Sequence, residues 1–292
     1  MYFSVRNLKP LREASLEGDK IVLYGPNGGG KSTLIHLAML LLYKVNYSRS
    51  QYTRHDMMYD PRVLPATKFS ESTSATFKAV ARGQAIDIEV RGTTMAVRSG
   101  EGEIEVPLLT KSVAGDQVSD VRKELFNLAV WHVDERGVQY VGSRLCDKPL
   151  SISEGEGFYF SVTCPQLAEE LILEGRVYYD VAEVGGEWVP IENLSYGQRR
   201  FLAIRSALLS GDFVFVENFE AGLHVDYVVR LLETAINMDN VVVLETHSGL
   251  VLKMAMRRGF KLYKVEDNHI KEIADLSESA LFKRELEYLA PA

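Results

Sequence analysis

The chain has 292 residues, 46% of them hydrophobic, which is enough apolar material for one large globular domain or two small ones. Its formal net charge of −7, from 40 acidic and 33 basic residues, excludes the overall positive field that drives nonspecific binding to nucleic acid. The cysteines, Cys146 and Cys164, form no metal-ligand or disulfide pattern. We therefore expect a single α/β domain over residues 1–292, cytoplasmic and without a signal peptide or transmembrane segment.

The first motif lies in residues 21–33, IVLYGPNGGGKST, which contain the pattern G-x-x-x-x-G-K-[ST]. An apolar strand precedes this pattern and an amphipathic helix follows it, as a phosphate-binding loop requires. Glycines let several backbone N–H groups converge on a phosphate chain, and the helix N-terminus adds its dipole. The sequence thus predicts a nucleoside triphosphate site formed by Gly25, Pro26, Asn27, Gly28, Gly29, Gly30, Lys31, Ser32 and Thr33. Lys31 is expected to contact the β and γ phosphates, and Ser32 to bind Mg²⁺.

Residues 46–176 differ from the rest of the chain and are predicted to form an inserted arm. Residues 75–97 and 138–145 have a strand pattern, whereas residues 116–131, DQVSDVRKELFNLAVW, favour a helix. Residues 44–68 interleave basic side chains with tyrosines, which is typical of a solvated loop or of a segment that contacts DNA. Near the C-terminus, Asp267 and Asn268 predict a hairpin turn.

Three further segments follow in the last third of the chain. Residues 194–200, LSYGQRR, begin a predicted helix whose free N–H groups favour an anion, although Ser195 is also an ordinary N-cap residue. Residues 213–224, FVFVENFEAGLH, start with a buried strand. Residues 241–248, VVVLETHS, form another buried strand that ends at a histidine. Arg199 and Arg200 are expected in the first helical turn, where they add positive charge, pair across a dimer or are solvated.

These motifs, in this order, resemble those of ABC-type ATPases, and FVFVENFEAGLH is similar to the segment found in the small RecF/SMC/OLD-like branch. Residues 194–198 match the signature LSGGQ except that Tyr196 replaces a glycine. The resemblance implies an α/β P-loop NTPase with an ABC-ATPase-like core, a mostly parallel central sheet, an antiparallel β arm and a helical subdomain. It also implies ATP and Mg²⁺ as cofactors. Finally, it implies a homodimer in which one subunit's signature binds the partner's nucleotide, through Ser195, Gly197 and Gln198.

The resemblance also assigns roles in hydrolysis. Glu217 takes the place of the aspartate that holds Mg²⁺, and Gln139 is the first candidate for the glutamine that contacts the metal. Asn218 stands where most relatives have the glutamate that activates water, and an amide cannot accept a proton at neutral pH. Glu220, on the same face of an extended segment, is the alternative base. His247 is expected to contact the γ-phosphate.

The expected function is that of an ATP-binding and hydrolysing switch that dimerises on ATP and serves DNA repair, DNA maintenance or defence. DNA or a separate effector protein would read its state. Two alternatives remain: the ATPase subunit of a membrane transporter, and a nucleotide-binding scaffold whose turnover is very slow because of Asn218. The interval between Lys31 and Ser195 is longer than is typical of transporter subunits, which favours the first function.

Overall fold

The computed structural model describes residues 1–46, 66–99, 102–108, 128–135, 137–142, 177–178, 181–184, 187–190, 193–279, 282–284 and 287. Its helices are α1 (Lys31–Asn46), α2 (Tyr196–Ser210), α3 (Val225–Asn237) and α4 (Gly249–Arg257), with short 3-10 turns at Ala66–Lys68 and Leu276–Glu278. Its strands are β1 (Tyr2–Leu8), β2 (Leu11–Glu17), β3 (Lys20–Tyr24), β4 (Ser74–Ala81), β5 (Gln84–Arg91), β6 (Thr94–Ser99), β7 (Gly102–Pro107), β8 (Ala129–Val133), β9 (Val138–Gly142), β10 (Val177–Tyr178), β11 (Val181–Val184), β12 (Glu187–Pro190), β13 (Phe213–Val216), β14 (Val241–Thr246), β15 (Lys261–Glu266) and β16 (His269–Ile273).

Thirteen strands form one mixed sheet in the order β7-β6-β5-β4-β1-β2-β16-β15-β3-β14-β13-β8-β9, and β10 to β12 form a separate small sheet. The five strands β15, β3, β14, β13 and β8 are parallel. Antiparallel strands extend this parallel core on both sides. The prediction of a P-loop NTPase fold is confirmed, and the strand pattern predicted over residues 75–97 lies in β4, β5 and β6, which with β7 continue the same sheet through β1.

The central strands are buried on both faces, which explains why their sequences are almost continuously apolar. Alternate side chains reach opposite faces, so Leu23, Phe215 and Val243 pack with α1. On the other face, Val214 and Leu244 pack with α2, α3 and α4. The sheet therefore lies between two helical layers, and its parallel strands all end at the same edge.

One predicted element is wrong. The helix expected over residues 116–131 does not extend to its C-terminal end, because Ala129, Val130 and Trp131 lie in β8 and are buried beside β13. An apolar run that is covered on both faces forms a strand as readily as a helix. Residues 116–127 lie outside the described residues, as do residues 47–65 of the basic and tyrosine-rich segment and most of the expected helical subdomain.

The C-terminal hairpin is confirmed. Strands β15 and β16 are joined by Asp267 and Asn268, whose φ angles are 50° and 65°. Two successive residues with positive φ form the tight turn whose twist matches that of the strands it joins. The hairpin places β15 beside β3, which is the strand that leads into the phosphate-binding loop.

Candidate functional site

The glycine-rich loop connects β3 to α1 and packs against two other strands. Gly25 has a φ of 142°, and a Cβ there would lie 2.1 Å from the carbonyl oxygen of Val265. Gly30 has a φ of 106°, and a Cβ there would lie 2.7 Å from the side chain of Leu11. Both glycines are thus required by backbone conformation and by close packing. The helix that follows points its N-terminal N–H groups toward this loop, as predicted for a phosphate site.

Lys31 is only 3% exposed, and its ammonium group is held inside the loop. Its Nζ donates hydrogen bonds to the carbonyl oxygens of Gly25, at 2.9 Å, and Pro26, at 3.0 Å. The same Nζ lies 3.5 Å from Oε1 of Glu245. Ser32 donates its hydroxyl proton to Oε2 of Glu245 at 3.2 Å. A carboxylate from β14 therefore lies directly against the two loop side chains predicted to contact phosphate and Mg²⁺.

Glu245 is a functional candidate that the sequence analysis missed. It is buried near the end of β14, the strand paired with β3. Burial and the negative charge of Glu217 raise its pKa, while Lys31 and Ser32 act in the opposite direction. The signal available in the sequence was a charged residue, Glu245, within the mostly apolar strand VVVLET. Because Mg²⁺ prefers oxygen ligands, Ser32, Glu217 and Glu245 together form a suitable set of candidate ligands.

Glu217 follows β13 immediately and is hydrogen-bonded to two histidines. Its Oε1 lies 2.7 Å from Nε2 of His132 and 2.7 Å from Nε2 of His36. Burial opposes ionisation, but the hydrogen bonds to His132 and His36 outweigh it and hold the pKa of Glu217 well below its usual range. Glu217 is therefore a carboxylate at neutral pH, as a metal-binding role requires.

Asn218 adopts a positive φ of 46°, which turns the chain sharply after β13. Its side-chain Nδ2 donates a hydrogen bond to Oε1 of Glu135 at 2.9 Å. Glu135 follows β8, the strand beside β13. The fold therefore places the carboxylate of Glu135 next to the amide of Asn218. Gln139 lies in β9 opposite His132 in the strand pairing, and its side chain lies outside the described residues. Its contact with the metal stays a prediction.

The structure brings Glu220 next to His247, a proximity that the sequence did not predict. Glu220 accepts a hydrogen bond from the hydroxyl of Thr246, at 2.6 Å, and another from the backbone N–H of His247, at 2.9 Å. Both of its oxygens thus fix the turn between β14 and α4. His247 lies with its Nε2 3.6 Å from Oε1 of Glu245. Burial and the positive charge of Lys31 lower the pKa of His247, so its ring is neutral at pH 7.

The signature segment begins α2 with a reciprocal cap. Gln198 donates its backbone N–H to Oγ of Ser195 at 3.3 Å, and the backbone N–H of Ser195 is bonded to Oε1 of Gln198 at 3.0 Å. A Cβ on Gly197 would lie 2.3 Å from the carbonyl oxygen of Gly222, and a Cβ on Gly222 would lie 2.3 Å from the ring of Tyr196. The start of α2 is therefore fitted closely against the loop that follows β13.

Arg200 corrects the expectation of a solvated or dimer-pairing side chain, because it is fully buried. Its guanidinium donates hydrogen bonds to the carbonyl oxygens of Asp134, at 2.5 Å, Glu217, at 2.6 Å, and Asn218, at 2.9 Å. Carbonyl oxygens that point inward from two strand ends need donors, and a planar guanidinium can serve several of them at once. Arg200 thus fixes the backbone that carries Glu217 and Asn218.

We expect Arg200→Lys to lower the free energy of unfolding by about 3 kcal/mol. A lysine ammonium group cannot reach all the carbonyl oxygens after β8 and β13 that the guanidinium of Arg200 bonds. Urea denaturation of the purified variant measures the change. Arg199→Lys, a neighbouring and only partly buried position, is the control and should cost less than about 1 kcal/mol. Equal losses in the two variants would contradict the role assigned to Arg200.

Comparison with known proteins identifies the family. The family described as "AAA domain, putative AbiEii toxin, Type IV TA system" matches residues 101–254, which include the signature segment, β13 and His247. The fold is similar to the SMC head domain from Thermotoga maritima, with 12% identity, 93% of this chain and 97% of that chain covered, and a TM-score of 0.46. It is also similar to the SmcHead bound to the C-winged helix domain of ScpA, with 11% identity, coverage of 93% and 96%, and a TM-score of 0.50.

No curated protein matches the sequence. At such identities the solved structures support the fold alone, whereas the family match spans more than half of the chain and contains Glu217, Glu245 and His247, although the glycine-rich loop lies before it. The chain therefore belongs to this family of AAA domains, and its fold is similar to that of an SMC head domain.

Proposed function

We propose that this chain is an ATP-driven switch that binds ATP and Mg²⁺ at the glycine-rich loop and hydrolyses the nucleotide. The observation that carries this proposal is the gathering of Lys31, Ser32, Glu217, Glu245 and His247 where β3, β13 and β14 end. Open parallel sheets bind their ligands at this edge. The family membership supports ATP binding and hydrolysis as the activity.

Nucleotide binding would replace internal contacts with contacts to phosphate. Lys31 now uses the carbonyl oxygens of Gly25 and Pro26 as acceptors, and the β and γ phosphates offer stronger, charged ones. Mg²⁺ would be held by the hydroxyl of Ser32 with the carboxylates of Glu217 and Glu245, directly or through water. Gln139 stays a candidate ligand. The bound ion would supply positive charge for the phosphates and for the two buried carboxylates, which repel each other.

Water activation is assigned to Glu135 rather than to Glu220. Asn218 can orient a water molecule but cannot take its proton. The amide of Asn218 holds Glu135, and the charge of Glu135 is felt by His247, the predicted γ-phosphate contact. Both oxygens of Glu220 are already hydrogen-bonded to the turn that carries His247, so we assign Glu220 a positioning role.

The switch itself would be a homodimer in which Ser195, Gly197 and Gln198 bind the ATP of the partner subunit. Ser195 is exposed at the N-terminus of α2, where the helix dipole favours an anion. DNA or a separate effector protein would read the closed and open states, in DNA repair, maintenance or defence. The description of the family as a putative toxin of a type IV TA system is in keeping with defence. None of the helices in the described part of the chain has the length and apolar character to cross a membrane.

A nucleotide-binding scaffold is a second candidate function, and Asn218 is the observation that favours it. If Glu135 does not replace the missing carboxylate, ATP would close the dimer without being turned over at a useful rate. The two candidates agree on nucleotide binding and differ in hydrolysis.

Lys31→Ala should abolish detectable ATP turnover and weaken ATP binding, because the phosphates lose their buried cation. Calorimetry with ATP and Mg²⁺ measures binding, and phosphate release measures turnover. Lys78→Ala, which removes an exposed lysine from β4, is the control and should leave both unchanged. A wild-type chain that binds no nucleotide would overturn the proposed function.

Glu135→Gln should lower kcat at least about 100-fold while ATP affinity stays within a factor of about three, since the amide keeps the shape but cannot accept a proton. Glu220→Gln is the matched comparison and keeps an oxygen for the turn, so a smaller loss is expected. If only Glu220→Gln lowered kcat, Glu220 would be the base as first expected. Wild-type turnover near zero would favour the scaffold.

Ser195→Asp should prevent ATP-induced dimerisation, because aspartate still caps α2 but repels the partner's phosphates. Light scattering with a non-hydrolysable ATP analogue and Mg²⁺ measures the mass. Ser195→Asn keeps the cap without the charge, and we expect it to dimerise at least partly. A wild-type chain that stays monomeric under these conditions would refute the shared site.

A further inference from the structure

Two histidines and a carboxylate converge just below the glycine-rich loop. The side chains of His36, His132 and Glu217 each offer one metal-ligating atom, and these atoms all lie within 4.8 Å of one another. Both imidazoles direct Nε2 at the same carboxylate oxygen, each at 2.7 Å. The two rings meet edge to face, with their centroids 5.5 Å apart. Two imidazole nitrogens and one carboxylate oxygen, all of them atoms that can ligate a transition metal, thus lie together in one small volume.

The members of the cluster come from separate parts of the fold, two of them from regular elements. His36 lies on α1, one helical turn beyond Ser32 and thus on the same face of the helix. His132 lies within β8, and Glu217 follows β13, which is paired with β8. Because helices and paired strands hold side chains more precisely than loops do, the two imidazoles are positioned beside Glu217 before any ion arrives.

The side chains of His36, His132 and Glu217 are largely buried, but not all of them completely. His132 is 2% exposed, whereas Glu217 and His36 are 12% and 15% exposed. The cluster is thus shielded from bulk water, which strengthens ligation, while two of its members remain accessible to an entering ion.

We propose that His36, His132 and Glu217 bind a divalent transition-metal ion of the Zn²⁺ class, at a site distinct from that of the nucleotide-linked Mg²⁺. Two imidazoles and one carboxylate suit Zn²⁺, Co²⁺ and similar ions, whereas Mg²⁺ prefers oxygen ligands alone. Each ring would ligate through an unprotonated Nε2 and keep its proton on Nδ1, so the two hydrogen bonds to Glu217 are exchanged for bonds to the ion. Three protein ligands leave a further coordination position for water.

Such an ion would connect two functions of Glu217. One carboxylate oxygen faces the histidines, and the carboxylate as a whole stands close enough to Glu245 to influence its pKa. The transition-metal ion would fix the orientation of Glu217 relative to Ser32 and Glu245, the other candidate Mg²⁺ ligands. The contacts among His36, His132 and Glu217 are all made within the nucleotide-free chain, so this site does not depend on the proposed ATPase cycle.

The test uses the full-length chain, stripped of metal with a chelator and titrated with Zn²⁺ by calorimetry and with Co²⁺ by visible absorption, without nucleotide. We expect one ion per chain, d–d absorption bands typical of nitrogen and oxygen ligation, and no displacement by excess Mg²⁺. His36→Asn and His132→Asn should each weaken binding by more than about 100-fold, because removing a ligand costs more than disturbing its outer partners. His269→Asn, which removes an exposed histidine of β16, is the control.

A second measurement covers the case in which the His132 variant fails to fold. X-ray absorption of the Zn²⁺-loaded wild-type chain should show scattering from two imidazoles. Lys31→Ala should bind Zn²⁺ as the wild type does, so a failed ATPase and a failed metal site are distinguishable. Wild-type affinity equal to that of His36→Asn, or a spectrum without imidazole, would mean an adventitious ion only and would overturn the proposal.

Discussion

The guanidinium of Arg200 is the interaction on which the arrangement of the site depends. It lies fully buried between the ends of β8 and β13 and the start of α2, and it donates to backbone carbonyl oxygens of both strands. Burying a cation away from water costs several kcal/mol unless hydrogen bonds replace its hydration. Here the hydrogen bonds are made with three backbone carbonyl oxygens. The same contacts that make the buried charge tolerable therefore fix Asn218, Glu217 and the end of β8 in one geometry.

Around this frame, negative charge is concentrated where the parallel strands end. Glu217, Glu245, Glu220 and Glu135 all lie near one another, and Lys31 is a buried cation beside Glu245. The two central carboxylates, Glu217 and Glu245, differ in how their surroundings affect ionisation. Hydrogen bonds to His132 and His36 keep Glu217 ionised, whereas burial raises the pKa of Glu245 and favours its protonated form. A site that carries more carboxylates than it can neutralise attracts cations, which is the property a metal-dependent ATPase needs.

Much of the fold could be predicted from the sequence because its signals are local. The glycine-rich loop, the strand before it and the apolar strands at residues 213–216 and 241–246 are contiguous patterns. The contact between Glu135 and Asn218 could not be predicted, since it depends on β8 lying beside β13, and a segment that ends in β8 favoured a helix by composition. The burial of Arg200 was not predicted either, because an arginine in the first turn of a helix is ordinarily solvated. The grouping of His36 with His132 likewise exists only after the chain has folded.

The fit between Gly197, Gly222 and Tyr196 has a mechanical consequence. The carbonyl oxygen of Gly222 occupies the place of a side chain on Gly197, and the ring of Tyr196 occupies the place of a side chain on Gly222. The start of α2 and the loop after β13 therefore cannot shift independently of each other. A force on the start of α2 is therefore transmitted to the loop after β13 with little slack. In a dimer of the proposed kind, nucleotide bound to one subunit would contact the start of α2 in the other. That contact would strain the loop after β13, which carries Asn218. By thermodynamic reciprocity, nucleotide binding at that end would in turn set how tightly the partner is held.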